Sequence, residues 1–290
     1  MKALFIITIS LFCSFCGHAE EVGKAGLPLY WWQQKAFVNF GDYISLKLVE
    51  RIVGEPVKTF QRKPANNPKK LLALGSILSF ADDGDVIWGT GLNGKLPEKS
   101  SYRFKNLDVR AVRGPITRAF LQNSFSIPVP EVYGDPALLF PYLFPEFSKS
   151  EEPLYDYIVI PHYTELHLFP RELYSNVVYP TDPWDVVVRA ILQSKFVVSS
   201  SLHGIIIAEA YGIPARLLRV TETEPLLKYN DYYRGSGRAT FEYAESIQEA
   251  LEMGGERPIR FNPEKLYEAF PFEFWSTEVR IKPDFKRGIL

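Results

Sequence analysis

Short apolar runs alternate with amphipathic stretches along the chain from residue 29 onward. Ile44, Leu48, Val49 and Ile52 recur at the spacing of one helix face, which predicts a helix over residues 42–53. Further helices are predicted over residues 116–122, 184–193 and 204–211. The predicted strands are 29–32, 70–74, 85–89, 109–112, 129–133, 157–161, 177–179, 196–199 and 215–220. This alternation of strands and helices predicts an α/β fold with parallel sheets.

A Pro-rich and acidic stretch over residues 141–153 interrupts this alternation and is predicted to be a linker. The resulting domains are 28–145 and 153–245, each an α/β unit, followed by a helical and irregular appendage over 246–290. Two such units that face each other leave a cleft at the carboxyl ends of their strands, which is where open α/β sheets bind ligands.

The N-terminal segment has the features of a signal peptide. Lys2 precedes an apolar run over residues 3–16, and small residues lead to a cleavage site after Ala19. Residues 1–19 therefore predict export or entry into the secretory pathway. The alternatives are an uncleaved anchor or an N-terminal extension, with the protein in the cytoplasm or associated with a membrane. Because Cys13 and Cys16 both lie in this segment, a cleaved chain would have no thiolate nucleophile and no cysteine-based metal site.

Composition narrows the classes of partner. The 290 residues are 46% hydrophobic, enough for a substantial core, and the formal net charge is −1. Since no basic excess is present, nucleic acid is not an expected partner, and any anion site must be built locally from a few side chains and amides. His162 and His167 lie close in sequence, but no further ligand cluster accompanies them, so we predict no metal and no cofactor.

The segment from Val197 to Ile205 is the sharpest candidate for a functional site. A buried strand ends in three serines, and a helix then opens with His203 and Gly204. Ser200 and Ser201 are expected to cap this helix, and its free amides and dipole favour an anion. His203 would stand at the mouth of that site and donate a proton to an anionic substrate. The alternative is an ordinary cap beside a hydrogen-bonded surface histidine.

Residues at two other ends of predicted elements are candidates for ligand binding. Asn39 and Gly41 form a tight turn before the first amphipathic helix, and Asp42 stands at its start, where ordinary capping is the alternative. Arg113 follows a strand end, where its guanidinium can grip a carboxylate or phosphate in a fork. A surface salt bridge is the alternative for Arg113.

Two loops are also expected to line the cleft. Gly91 belongs to a Gly-rich loop that follows a predicted strand. Lys228 begins a segment of aromatic and charged residues, 228–234, whose composition is typical of sugar-binding loops, although partly exposed packing would explain it equally well.

In their order along the chain, these landmarks resemble the polysaccharide pyruvyl transferase family. The matching segments are Asn39-Phe40-Gly41-Asp42, Gly75-Ser76, Gly89-Thr90-Gly91, Val112-Arg113, Gly134-Asp135-Pro136, Ser201-Leu202-His203-Gly204 and Gly212-Ile213-Pro214. The resemblance implies two Rossmann-like domains in a GT-B-like arrangement. It also implies that phosphoenolpyruvate is the donor, that a glycan or lipid-linked sugar is the acceptor, and that pyruvyl is attached as a ketal. Such chemistry belongs to exopolysaccharide or surface-glycan biosynthesis.

The resemblance also implies roles for particular residues. Arg113, with Ser200, Ser201 and Gly204, would bind the donor, and Asp135 would line the cleft. His203 would be the catalytic acid, kept protonated near neutral pH because a neighbouring anion site raises its pKa.

One position departs from the family pattern, because many members have arginine where this chain has Ser201. Either Lys228, Arg216 or backbone amides then replace the missing cation, or the use of the donor is altered or lost. Two other functions stay open, a GT-B-type glycosyltransferase that uses a nucleotide sugar and a non-catalytic carbohydrate-binding relative.

Overall fold

The computed structural model describes residues 26–60, 68–275, 281 and 283–285. The predicted signal peptide over 1–19, with Cys13 and Cys16, lies outside the described residues. The strands of the first sheet are β1 (Leu29–Tyr30), β2 (Thr59–Phe60), β3 (Leu71–Leu72), β4 (Val86–Trp88) and β5 (Asp108–Ala111). They lie in the order β2-β1-β3-β4-β5, and every pairing between them is parallel.

Three helices accompany the first sheet, α1 (Phe40–Val53), α2 (Pro115–Phe125) and α3 (Phe140–Leu143). Helix α1 begins where the Asn39 side chain accepts a hydrogen bond from the Gly41 amide, and it ends at Gly54 in the left-handed conformation. Its predicted apolar face is fully buried, with Ile44, Leu48 and Ile52 all at 0% exposure.

The strands of the second sheet are β6 (Ile158–Ile160), β7 (Val197–Ser199), β8 (Ala215–Leu218) and β9 (Tyr243–Ala244), which are adjacent in that order and all parallel. The helices around this sheet are α4 (Trp184–Leu192), α5 (Leu202–Ala210), α6 (Leu227–Gly235), α7 (Ile247–Met253) and α8 (Pro263–Glu268). Parallel sheets joined by helices confirm the predicted α/β class. Among the described residues, no helix is long and apolar enough to cross a membrane.

Two predicted strands are absent from these sheets. Residues 129–133 contribute only an isolated bridge between Tyr133 and Val112, because Pro128 and Pro130 have no N–H to give a ladder. Residues 177–179 likewise contribute only a bridge from Val177.

The predicted linker is also corrected, and of the two interpretations of residues 228–234 the structure supports packing rather than a loop. The segment 141–153 begins inside helix α3, whose four residues are all buried, so its first part belongs to the core. Residues 228–234 are helical and lie within α6. Tyr229, Tyr232 and Tyr233 recur at helical spacing and are buried, so the aromatic residues of this segment serve packing.

The largest apolar cluster draws buried residues from both sheets. It includes Leu29 and Val86 of the first sheet, Ile158 and Val197 of the second, and Phe140 of α3. The domain bounds at 28–145, 153–245 and 246–290 stay a prediction. The contact between the sheets brings the carboxyl ends of their strands to opposite sides of one pocket.

Candidate functional site

A pocket of about 290 Å³ lies between the carboxyl ends of the two sheets. Its walls on the side of the first sheet are Trp32, Asn39, Asp42, Ser76, Ile77, Phe80, Asn93 and Lys95. Its walls on the side of the second sheet are His162, Tyr163, Ser201, Leu202, His203, Glu224 and Lys228. Five residues predicted for the site, Asn39, Asp42, Ser201, His203 and Lys228, therefore line one cavity.

The N-termini of helices α1 and α5 meet at this pocket. Gly41, the second residue of α1, packs against His203, the second residue of α5, and a Cβ added at Gly41 would lie 2.6 Å from His203 Cγ. Ser201 is the N-cap of α5, but its side chain makes no capping hydrogen bond. Instead, Ser199 Oγ accepts a 3.0 Å hydrogen bond from the Ser201 amide. Ser201 therefore holds the expected N-cap position without the expected capping hydrogen bond, and it lines the pocket.

His203 is 12% exposed and lies beside a second titratable group. Its Nε2 lies 3.8 Å from Asp135 Oδ2, and neither atom has a hydrogen-bond partner among the described residues. Burial, followed by the charges of Arg113 and Lys228, lowers the pKa of His203 to about 3. The expected raised pKa is therefore wrong for this structure, and the imidazole is neutral at neutral pH.

Asp135, beside His203, and Asp42, in the pocket wall, are carboxyl groups that hold their protons more tightly than usual. Contrary to expectation, Asp135 is not a wall of the pocket but is fully buried. Burial raises its pKa to about 6 although its carboxylate accepts a hydrogen bond from the Ala137 amide. Burial likewise raises the pKa of Asp42 to about 7, against the opposing attraction of Lys228. As the pH falls, Asp42 and Asp135 therefore take up a proton before the His203 imidazole does.

The pocket also contains a compact set of charged side chains. Glu224 accepts hydrogen bonds from Lys228 and Lys95, both at 2.5 Å, and its Oε2 lies 3.9 Å from His162 Nε2. Burial opposes ionisation of Glu224, but Lys228 and His162 outweigh it and lower the pKa of that carboxyl group. Burial lowers the pKa of Lys228, and burial lowers that of His162 to about 3.

Arg113 does not present a free fork to the pocket, contrary to expectation. Its side chain is fully buried and donates to Ser76 Oγ at 2.7 Å and to the Leu92 carbonyl at 2.5 Å. Its Nε lies 3.4 Å from Asp231 Oδ2. Gly91 is not a wall of the pocket either, since it packs on this guanidinium, where a Cβ would lie 2.7 Å from the central carbon. Arg113 thus lies behind the pocket wall and contacts it through Ser76.

Ser200 and Gly204 also lie behind the pocket. Ser200 Oγ donates to Glu165 at 2.5 Å and accepts from the His162 amide at 2.8 Å, so it orients the pocket wall from beneath. Gly204 packs against Ser199 Oγ, which would lie 2.5 Å from an added Cβ. Arg216 is bound to Glu256 at 2.6 Å and is absent from the pocket walls, which leaves Lys228 as the candidate replacement cation named from the sequence.

Sequence reasoning missed several pocket residues. They are Trp32, Ser76, Phe80, Lys95, His162, Tyr163 and Glu224. Trp32, Ser76 and His162 each follow a strand within four residues, so the rule that ligands bind at carboxyl strand ends could have found them. Lys95 and Glu224 lie further along loops, where no periodic pattern marks a residue.

Aromatic side chains form another part of the wall. Trp32 and Phe80 have ring centroids 5.3 Å apart, and Tyr163 packs on Phe37 at 5.4 Å. Among the residues that the structure describes, no group of three or more His, Cys, Asp or Glu side chains is arranged to hold a metal ion.

The fold and pocket define an α/β protein with a polar, cation-bearing site between two parallel sheets. The sequence matches the polysaccharide pyruvyl transferase family over residues 28–221, and the chain therefore belongs to that family of transferases.

Individual relatives are similar over part of their length. The uncharacterized protein L143 of Acanthamoeba polyphaga mimivirus is 32% identical over 209 residues, which cover 67% of this chain and 70% of that protein. The succinoglycan biosynthesis protein ExoV of Rhizobium meliloti (strain 1021) is 29% identical over 223 residues, or 72% of this chain and 65% of ExoV, just under two thirds of its length. An uncharacterized Klebsiella pneumoniae protein, KP1_0663, has a crystal structure that covers 76% of this chain and 94% of its own, at 13% identity and a TM-score of 0.45. That structural likeness is too weak to carry an argument.

Proposed function

We propose that this protein transfers the pyruvyl group of phosphoenolpyruvate to a sugar residue of a glycan, as a ketal, in exopolysaccharide or surface-glycan biosynthesis. The observation that carries the proposal is the meeting of His203, the Asp42 and Glu224 carboxyl groups and the Lys228 cation in one pocket of a chain that belongs to this family. The name of ExoV, a succinoglycan biosynthesis protein, supports a glycan product. We further propose that the two sheets are the cores of two Rossmann-like domains in a GT-B-like arrangement.

The donor carries a carboxylate and a phosphate, and the pocket offers partners for both. Lys228 and Lys95 supply positive charge, and the N-terminus of α5 presents amides beside Ser201. In this proposal Arg113 acts from behind Ser76, where its charge adds to the positive potential without leaving its buried partners. Lys228 thereby replaces the arginine that many family members have at the position of Ser201.

The reaction requires one proton at the methylene carbon of the donor. In the proposed route that carbon gains the proton, the neighbouring carbon gains a bond to a sugar hydroxyl oxygen, and that hydroxyl loses its proton to a pocket base. A second sugar hydroxyl then forms a bond to the same carbon as the bond to the phosphate oxygen breaks, and the leaving phosphate takes up that hydroxyl's proton, which closes the ketal. The charges of a bound donor would raise the pKa of His203, so the imidazole would take up a proton and, with Asp135 Oδ2 at 3.8 Å, deliver it to the methylene carbon.

The acceptor sugar is proposed to lie against the aromatic wall. The apolar faces of a pyranose ring match the rings of Trp32, Phe80 and Tyr163, which line the same cavity as His203. A lipid-linked acceptor, association with a membrane and export directed by residues 1–19 are separate proposals, each independent of the pocket.

The decisive experiment measures thermal stabilisation by phosphoenolpyruvate beside UDP and GDP sugars. A ligand that binds only the folded state raises the melting temperature, so phosphoenolpyruvate is expected to do so. His203→Gln should retain much of that shift while turnover falls about 10²- to 10⁴-fold, the usual loss for a general acid.

Other results would redirect the assignment. A shift with a nucleotide sugar alone would indicate glycosyl transfer. Binding of sugar without any turnover would indicate a carbohydrate-binding relative. Wild-type turnover in His203→Gln would remove His203 from the chemistry.

A further inference from the structure

Glu224 is the negative partner of the cationic groups at one end of the pocket. Its two oxygens take one lysine each, with Lys228 on one and Lys95 on the other, both at 2.5 Å. His162 approaches the Lys228-bound oxygen at 3.9 Å. All four side chains line the same cavity as His203.

The two lysines come from opposite sides of the pocket. Lys95 follows the Gly-rich loop after β4, whereas Glu224 and Lys228 follow β8. The Lys95 side chain is 46% exposed, while those of Glu224 and Lys228 are 11% and 7% exposed. The Lys95 contact is therefore weak and easily exchanged, whereas the Lys228 pair is largely withdrawn from water.

The Glu224 carboxylate occupies the position that the carboxylate or phosphate group of a bound anion would take. Two ammonium groups and an imidazole surround it, and these are groups that bind a phosphate or a carboxylate of a small anion. An anion that entered the pocket would meet its cations already neutralised. It could bind them only by taking the place of the Glu224 carboxylate.

We propose that Glu224 is a built-in competitor that occupies an anion subsite formed by Lys95, Lys228 and His162, and that an anionic substrate displaces it. The class of ligand is a small phosphorylated or carboxylated molecule. Only the identification of that ligand with phosphoenolpyruvate rests on the proposed function. Glu224 thereby keeps the buried Lys228 paired between turnovers and sets the affinity of the donor.

The test compares the affinity of inorganic phosphate and of phosphoenolpyruvate for wild type, Glu224→Gln and a control, by calorimetry at constant ionic strength. Without the competing carboxylate, Glu224→Gln should bind phosphate about tenfold more tightly, the scale of one exchanged charge-assisted contact. Glu222→Gln is the matched control. It removes the same negative charge two residues away, at a side chain that is 89% exposed. The control should bind as the wild type does.

Two further variants secure the interpretation. Glu224→Asp keeps the charge but is one methylene shorter, so it should hold the two lysines less closely and should also bind phosphate more tightly. Lys228→Met added to Glu224→Gln should abolish the gain. If Glu224→Gln fails to fold, Glu224→Asp decides the matter by the same criterion.

The results separate this inference from the proposed function. Equal or weaker phosphate binding in the Glu224 variants overturns the inference, whatever the protein catalyses. Tighter binding of phosphate together with phosphoenolpyruvate supports both ideas. Tighter binding of phosphate without any binding of phosphoenolpyruvate supports the anion subsite and contradicts the proposed donor.

Discussion

The carboxyl group of Asp42 changes charge in the physiological range, because burial raises its pKa from 3.8 to about 7. The folded state therefore binds this proton more tightly than the unfolded state does between those two values. The resulting stability is fully present below about pH 4 and is lost as the pH rises through about 7.

We expect Asp42→Asn to become progressively more stable relative to the wild type as the pH rises from 4.5 to 8. The asparagine has no charge to desolvate, so the difference in free energy of unfolding should grow with pH and then level off. Urea unfolding at several pH values measures it. Asp185→Asn, in the first turn of α4, controls for the loss of a carboxyl group at a helix start. A difference independent of pH would contradict the raised pKa of Asp42.

Among individual residues, those that directly follow a strand could be assigned to the site from the sequence. Ser201 and His203 come directly after a strand and open a helix, so they had to reach the sheet edge. Arg113 shows the limit of that reasoning. The sequence predicted that Arg113 follows β5. It could not show that the guanidinium lies behind the pocket, because its partners there, the Leu92 carbonyl and Asp231, are remote in sequence.

Among the elements, the starts of α1 and α5 are close because Gly41 has no side chain. Gly41→Ala places a methyl group where the His203 ring lies, so the ring or the helix must move. We expect catalysis to fall by at least tenfold, since a shift of about 1 Å in a catalytic group costs that much or more. The protein should still fold, with a loss of about 1–3 kcal/mol, the usual cost of overpacking.

A double-mutant cycle with His203→Ala shows whether the methyl group acts through the imidazole. In that background the ring is gone but the Cβ of residue 203 still lies 2.7 Å from the added methyl group, so Gly41→Ala should cost less stability by thermal melting than it does in the wild type. An equal cost in both backgrounds would place the clash elsewhere in α1.

Helices could be predicted from the sequence where one face is apolar and capping residues mark both ends. Helix α1 shows both signals, with Asn39 before it and Gly54 after it. Helix α6 was missed because polar residues between its tyrosines resemble a loop, although their spacing is helical. Strand β2, two residues long, has too little periodicity to be seen in a sequence.

At the scale of the whole molecule, one carboxylate joins the two parts of the chain. Asp231 of α6 accepts hydrogen bonds from the Ile116 and Thr117 amides at the start of α2, at 2.9 and 3.1 Å. It also lies 3.4 Å from the buried Arg113 guanidinium. Gly114, the N-cap of α2, has no side chain to cap it, so the cap comes from a remote helix.

We expect Asp231→Ala to lower the free energy of unfolding by about 3–5 kcal/mol, because it leaves a buried charge and helix amides without partners. Asp231→Asn should cost less, since its amide oxygen can still accept from α2. Urea unfolding gives both values, and Asn230→Ala on the same helix is the control, as its side chain is partly exposed. A small loss in Asp231→Ala would mean that Arg113 finds another partner.

The α/β class followed from the alternation of strands and helices, but the strand order did not. Nothing in the run at Leu29 shows that β1 lies between β2 and β3, because register and neighbours are decided by packing. The site could be predicted to lie at carboxyl strand ends, while the charges that Lys95 and Glu224 bring to it could not, since both come from irregular loops.

The apolar cluster shared by the two sheets limits how this molecule can be divided. Leu29 and Ile158 belong to the same buried cluster, although they come from different sheets. A fragment that ended near residue 150 would expose the apolar surface that the other part now covers, and exposed surface of that kind promotes aggregation. The halves are therefore poor candidates for separate expression or for exchange between relatives, and substitutions at their contact have to be matched on both sides.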